Sequence, residues 1–454
     1  MYNQKPLSRK EIIDLLASQG FRKDYNGTGG CIFKKINENL IEVTNPIKIK
    51  DFLIKYFKAN KDKLEQFYAK ADHLVDSKAL ELLPSLEVTY LKDTKVQGFF
   101  LFKNCLIKVS KEGFEATSLN NIEPNIKFKR EISHDLFEPQ KESEFERFLF
   151  LAMGKDDRRL QSLKSSIGYL LHDFYDPSER KAVIYIDEEI NESGEANGGT
   201  GKSIVAMAIS RMLGDAPYVI NEDGRNFNPQ KGFAFQQLTS ETKLLIFNDT
   251  SSTFAFNRLI SALTDGITVE KKYKDAFRLS GSSLPKVLIT TNFLPEGDLG
   301  YTNERRRFEV EFAPYFGKER SPRGEFGHLL FEEWHNEEWN AFYCFMLDCL
   351  RLYLAKGLIH APNINLFKKQ IIRLGGMDVL IFLDGYFQAL FPTGEIRACK
   401  ITKGELYSKF KTTHPNSNVT NTKLPKLVKI YLDGLKIKNK EYNVGGVRGF
   451  EIMV

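Results

Sequence analysis

The chain has 454 residues, more than one ordinary domain holds, and its 42% hydrophobic content with 36 Phe and 18 Tyr excludes a disordered polypeptide. A formal net charge of +6 is too small to identify an anionic partner, so the distribution of charge carries more weight than its sum. Cys31, Cys105, Cys344, Cys349 and Cys399 are scattered without CxxC spacing, which argues against a zinc site and suggests free thiols in a reducing compartment.

In chain order, residues 1–145 read as an α+β domain whose role the sequence does not assign. Ser8-Arg9-Lys10-Glu11 has the spacing of a capping box and predicts a helix start. Phe52-Leu53, Tyr56-Phe57, Leu64 and Phe67-Tyr68 recur as one face of a single lysine-rich helix would. The run from Gly98 to Val109 predicts strands about a tight turn, and no strand here carries the paired acids of a two-metal polymerase site. Past a linker-like stretch, Glu138 to Glu144, residues 146–180 predict a small helical unit. Residues 181–315 alternate buried strands with helices, as an α/β sheet does. Residues 316–395 are helical, and their aromatic stripe of Trp334, Trp339 and Phe342 reads as core. Residues 396–454 change character: from Arg397 on, twelve Lys/Arg stand against four Asp/Glu, a surplus of +8 that exceeds the whole chain's. Two helices and then strands alternating about Gly445-Gly446 predict a hairpin in a basic, winged-helix-like unit suited to phosphates. No run nears the ~20 apolar residues of a membrane span, and the first residues open no signal region, so a soluble protein of the cytoplasm with no membrane partner is expected.

The most informative stretch follows the apolar strand Ala182–Ile186. Ala196-Asn197-Gly198-Gly199-Thr200-Gly201-Lys202-Ser203 opens a helix that ends near Gly214. Strand, glycine-rich turn and helix form the context of a phosphate-binding loop, although Ala196 stands at its first glycine position. Gly198, Gly199, Thr200 and Gly201 let backbone N–H groups converge on an anion at the helix N-terminus. Lys202 is placed to neutralise phosphates and the Ser203 hydroxyl to hold Mg²⁺. The strand Lys243–Phe247 delivers Asn248-Asp249, so Asp249 is a second metal-site candidate, with Asn248 rather than a second acid beside it. The strand from Pro285 ends in Thr290-Thr291-Asn292, and Asn292 suits sensing a γ-phosphate and positioning water.

Between those strands, Ile267 to Leu279 alternates about a polar turn. It predicts a hairpin with Lys271, Lys272, Tyr273 and Lys274 at its tip, a composition suited to a single-stranded phosphodiester backbone. Glu304-Arg305-Arg306-Arg307 precedes a last alternating strand, and a guanidinium there suits a γ-phosphate held by a neighbouring subunit.

From Lys181 to Phe312 this order of elements resembles the superfamily 3 helicases, AAA+ replicative motors of small viruses, phages and plasmids. The resemblance implies an AAA+ P-loop ATPase core with ATP and Mg²⁺ as cofactors. It assigns Lys202 and Ser203 to Walker A, Asp249 to Walker B, Asn292 to sensor 1 and Arg306, or else Arg305 or Arg307, to the finger. The hairpin pair becomes Lys272-Tyr273, with Tyr where the family has His, and residues 146–180 become an oligomerisation collar. A weaker match, through Phe102-Lys103-Asn104, the Ile167–Leu171 helix and the basic C-terminal unit, is to the helicase half of poxvirus-type primase-helicases of phages and mobile elements. What the resemblance implies is a hexameric, ATP-hydrolysing DNA helicase travelling 3′-to-5′ in a bacterial host's cytoplasm, on single-stranded and forked DNA, with a separate primase or polymerase as partner. A replication initiator or loader that melts DNA without processive unwinding is the alternative, and a P-loop small-molecule kinase is a further one.

Overall fold

The computed structural model describes residues 6–26, 30–123, 126–139, 141–190, 198–251, 253–254, 256–272, 274–294, 305–362 and 364–454. The chain is mixed α/β and divides into two compact units, residues 1–139 with 172–174, and residues 140–171 with 175–454. No helix among the described residues is long and apolar enough to cross a membrane.

The first unit opens with α1 (Arg9–Ser18), whose capping box forms as predicted: the Ser8 hydroxyl accepts from Glu11 N–H at 3.3 Å and the Glu11 carboxylate accepts from Ser8 N–H at 2.9 Å. An antiparallel sheet of β1 (Phe21–Asn26), β2 (Gly30–Asn37) and β3 (Leu40–Thr44) follows. The single helix expected across Phe52–Tyr68 is instead two, α2 (Pro46–Phe57) and α3 (Lys61–Leu74). Asn60 breaks it by capping α3, its side chain accepting from Lys63 N–H at 3.1 Å. The break also re-aims the aromatics, so Leu53, Phe57 and Phe67 are buried while Tyr56 and Tyr68 are exposed. After α4 (Ser77–Leu80), β4 (Thr89–Tyr90) pairs in parallel with β8 (Ile126–Lys127). Between them β5 (Gly98–Leu101), β6 (Cys105–Ser110) and β7 (Gly113–Ser118) form a second antiparallel sheet.

In the second unit, α5 (Glu144–Ala152) and α6 (Asp157–Leu171) precede a five-stranded parallel sheet. Its strands are β9 (Ala182–Asp187), β10 (Val219–Asp223), β11 (Leu244–Thr250), β14 (Lys286–Thr291) and β15 (Arg307–Phe312), in the order β10-β11-β14-β9-β15. All six residues of β9 are buried, as a strand covered on both faces must be. On one face Ala182 and Ile184 pack in a core with α8 (Phe256–Asp265) and with Ile267, Val269 and Leu279 of the hairpin β12 (Ile267–Lys271) and β13 (Lys274–Leu279). On the other, Tyr185 packs on Phe312 with ring centroids 5.3 Å apart and its hydroxyl lies 3.1 Å from that of Ser166 in α6. The loop into helix α7 (Lys202–Leu213) leaves from the C-terminal end of β9, and Gly214 ends α7.

The predicted aromatic core forms around Phe145, Phe331, Trp334, Trp339 and Phe342, joining α5 to the segment ahead of and within α10 (Asn336–Lys356), which follows the short α9 (Pro322–Phe326). α6 lies so close to α10 that a Cβ on Gly168 would stand 2.1 Å from the Cys349 carbonyl oxygen. Finally α11 (Leu366–Gly375), α12 (Met377–Leu390), β16 (Cys399–Thr402), α13 (Lys403–Thr413), α14 (Leu424–Gly434) and β18 (Val447–Ile452) share one core, from Ile371 to Ile452, with β17 (Asn439–Val444) paired to β18 outside it. The last two strands turn at Gly445-Gly446, both at positive φ, and the three strands lie in the order β16-β18-β17. That core crosses the boundary expected near residue 395, because Phe382 and Leu383 pack with Phe410 and Leu427 rather than closing off a helical domain.

Gly168→Ala forces the α6 and α10 backbones apart. Its unfolding free energy, read by urea denaturation, should fall by about 2–4 kcal/mol, with most of the loss retained in Gly168→Ser.

Candidate functional site at the C-terminal edge of the parallel sheet

The three sequence-predicted groups Lys202, Asp249 and Asn292 come together because β9, β14 and β11 are neighbours that run in the same direction. Whatever follows each strand therefore lies on one edge, where α/β proteins gather their binding groups. Lys202 Nζ donates to Asn292 Oδ1 at 3.0 Å, and Asn292 Nδ2 donates to Asp249 Oδ1 at 3.5 Å. Lys202 also donates to the Thr200 hydroxyl at 3.2 Å and pairs with Asp187, the last residue of β9.

The backbone of the loop explains its glycines. Gly199 and Gly201 lie at φ +104° and +103°, and a Cβ on Gly201 would stand 2.6 Å from the ring of the buried Phe148. Gly201 is the N-cap of α7 and offers no side-chain cap, nor does the first turn carry an acid, so the helix start keeps its donors and its positive end. Ser203 is exposed on that first turn and Gly198 and Gly199 are exposed ahead of it, while Thr200 is buried. Ala196 and Asn197 lie outside the described residues.

Asp249 reaches the edge through an irregularity. Pairing of β11 with β14 slips between Phe247 and Thr250, and Asp249 takes φ +51°, a left-handed conformation that Asp tolerates better than most residues. Its N–H is fixed by the Thr290 hydroxyl at 3.0 Å, and its carboxylate is exposed. The neighbouring Asn248 points to another partner, donating to Asn221 Oδ1 at 3.3 Å.

Sequence reasoning missed Asp187 and Lys369. Asp187 is 5% exposed and receives Lys202 and Thr200 on its carboxylate, while Lys369 of α11, also buried, donates to its backbone carbonyl. A carboxylate ending the strand before a glycine loop was the available local signal for Asp187. Lys369 lies 182 positions along the chain and had none. Burial pulls both ammonium groups below the ordinary lysine value, against the upward pull of Asp187 on each. One lysine, one exposed hydroxyl, a carboxamide and two carboxylates at an uncapped helix start form a donor set that fits a phosphate with a divalent cation.

The other predicted residues lie elsewhere. Ala182 N–H donates to the Arg306 carbonyl at 2.9 Å, so Arg306 sits at the N-terminal edge of the sheet. The six-residue length of β9, about 20 Å, separates it from Asp187, beyond the reach of an arginine within one chain. Arg305 is exposed, and Arg307 is buried with its guanidinium 4.1 Å from the Phe256 ring centroid. The hairpin forms as expected, with Lys271 opposite Lys274 and Lys272 exposed at the turn. Lys271 Nζ lies 5.6 Å from the Phe277 ring, while Tyr273 and the side chain of Lys274 lie outside the described residues.

Lys202→Ala leaves the Asp187 carboxylate buried without its ammonium and should cost about 3–5 kcal/mol in urea unfolding. The double variant Asp187→Asn/Lys202→Met removes both charges and should recover most of that loss.

Residues 194–307 match a family of unknown function, DUF5906, a span that takes in the glycine loop, Asp249, the hairpin, Asn292 and the arginines. A comparison with curated proteins returns no match. Among solved structures, the chain is similar to the A form apo structure of the NrS-1 C-terminal region, at 12% identity over 100% of both chains with a TM-score of 0.42. A second structure of that region, residues 305–718, gives 10% identity over 99% of this chain and 100% of that one, again at 0.42. Identity and TM-score at this level are too low to carry fold or function across.

Proposed function

We propose that the chain is an ATP-dependent DNA helicase of a phage or mobile element, built on an AAA+ P-loop core and working as a ring. The observation that carries this reading is the hydrogen-bonded line Lys202–Asn292–Asp249 along one edge of the parallel sheet. In this reading the backbone of Gly198–Gly201 with Lys202 holds the phosphates, Ser203 and Asp249 hold Mg²⁺, and Asn292 orients the attacking water. Bound ATP–Mg²⁺ supplies the phosphoanhydride whose cleavage drives movement. The far-edge position of Arg306 supports a finger that serves a second copy of the chain rather than its own Lys202. Lys271, Lys272, Tyr273 and Lys274 would grip one DNA strand. The three-stranded sheet with α13 and α14 supports the winged-helix-like reading of the basic end, directed at forked DNA. The Asn248 bond to Asn221, where many such motors have an acid, favours as second reading an initiator or loader that melts DNA without processive unwinding.

ATP turnover with and without single-stranded DNA, beside strand displacement on a fork, tests both. DNA should stimulate turnover, Lys202→Ala should abolish it, and Lys272→Ala should keep basal turnover within about twofold while losing displacement. Turnover without displacement by the unaltered chain selects the loader, and turnover indifferent to DNA removes both readings.

Arg306→Ala should still bind ATP but turn it over roughly 10³-fold more slowly. Mixing it with Lys202→Ala subunits should restore part of the activity, and no restoration at any ratio would refute a finger acting between copies.

A further inference from the structure

Six charged side chains meet where α6, β9, β15, α7 and α11 converge: the cations Lys202, Lys369 and Arg159 and the carboxylates Asp187, Glu188 and Glu311. Lys202 sits on the Asp187 carboxylate and Lys369 on the Asp187 backbone carbonyl. Arg159 of α6 pairs with Glu188 at 2.7 Å and donates to the Glu311 carbonyl, also at 2.7 Å. The Glu311 carboxylate accepts the Ile364 and Asn365 N–H groups just ahead of α11, at 2.6 and 2.9 Å. All but Glu188 are buried, so each charge acts on its neighbours with little water between them.

The chain between β9 and the glycine loop is held from the α11 side. Asn365 Nδ2 donates to the Glu188 carbonyl at 3.2 Å, and Ile190 packs on the core that runs from Ile371 to Ile452. α11 is fixed from behind by α14, whose Gly434 lies so close that a Cβ there would stand 2.1 Å from the Phe367 ring. The place of Lys369 is therefore set by the C-terminal core.

Lys369 is 7% exposed and its ammonium is spent on a main-chain oxygen, which leaves it no part as a phosphate ligand. Its charge nevertheless falls on the aspartate that holds Lys202. Burial pulls the Lys369 ammonium below the ordinary lysine value, and Asp187 is the strongest of the charges opposing that pull. An aspartate facing Lys202 alone would hold it with its full field against any competing anion. A second cation on the same residue answers part of that field.

We infer that Lys369 is a positioning residue of the Lys202 site: it fixes the end of β9 and screens Asp187, so that a phosphate chain can draw Lys202 from that carboxylate. This role presupposes that the Lys202 edge binds phosphate, as proposed above. It makes α11 the arm by which the C-terminal core sets the affinity of the glycine loop for its ligand.

Calorimetry with inorganic tripolyphosphate tests it. The unaltered chain should bind and Asp187→Asn/Lys202→Met should not; any other result at this stage would refute the phosphate reading of the edge and this role with it. Given that binding, Lys369→Met should weaken it about tenfold or more, whereas in an Asp187→Asn background the same change should cost less than about twofold. Lys369→Gln, which keeps a donor but no charge, should repeat the comparison if Lys369→Met folds poorly. Lys368→Gln, whose ammonium faces Asp384 at 3.3 Å instead, should leave the affinity unaltered. Equal losses in both backgrounds would show that Lys369 acts on the anion without Asp187. That result, no loss in either background, or a matching loss in Lys368→Gln would overturn the assignment while leaving the phosphate reading intact.

Discussion

The buried pair of Lys202 and Asp187 is the constraint on which the C-terminal edge depends. An ion pair inside a protein gives up the hydration of both partners, and two apolar groups of the same volume would stabilise the fold as well or better. The pair is tolerable because its lone pairs and protons are taken up: Thr200 and Lys202 converge on the Asp187 carboxylate, and Lys202 continues to Asn292. A charge retained at this cost, at the start of a helix whose N-terminus has no side-chain cap, is better accounted for by a ligand than by stability. Asp187 holds the ammonium, and under the proposed reading a phosphate would compete with it for Lys202. The carboxylate keeps the lysine oriented.

The strand order divides the work of the sheet between its two edges. Because β9, β11, β14 and β15 are all parallel, their C-terminal ends bring together Asp187, Asp249, Asn292 and Lys202, and their N-terminal ends bring Lys181, Lys243, Lys286 and Arg306 to or just before the strand starts. Antiparallel strands would have mixed these sets. The polarity of the sheet is therefore a polarity of charge, and Arg306 belongs to the cationic edge although the motif containing it reads in sequence as a companion of Lys202.

Much of the site was legible because its signals are local. An apolar run, glycines that must take positive φ and a lysine at a helix start lie within about twenty residues, and the hairpin announces itself by alternation about a polar turn. The partners of these groups were not legible. Asp187 is near Lys202 in the chain, but only the folded loop shows that the two carry opposite charges into one buried space. Lys369 needs the tertiary structure outright. The break at Asn60 shows the reverse failure, since apolar spacing ran on across a residue whose side chain favours starting a helix over continuing one. The position of Arg306 was hidden for a third reason: it follows from strand direction, which periodicity does not report.

The core running from Ile371 to Ile452 bears on how such a chain can be divided. Lys369 reaches the end of β9 from α11, and α11 is packed in the same core as the C-terminal sheet. A cut at residue 395 would strip Phe382, Leu383 and Phe387 of their cover and leave α11 resting on an exposed apolar face. The natural seam lies earlier, in the segment between α10 and α11, where the chain leaves one core before entering the next. Recombination that exchanged the basic end between related chains would therefore carry α11 with it, and with α11 the lysine that docks on β9. Exchanging the C-terminal surface of this scaffold and altering the C-terminal edge of its parallel sheet are thus one inherited event.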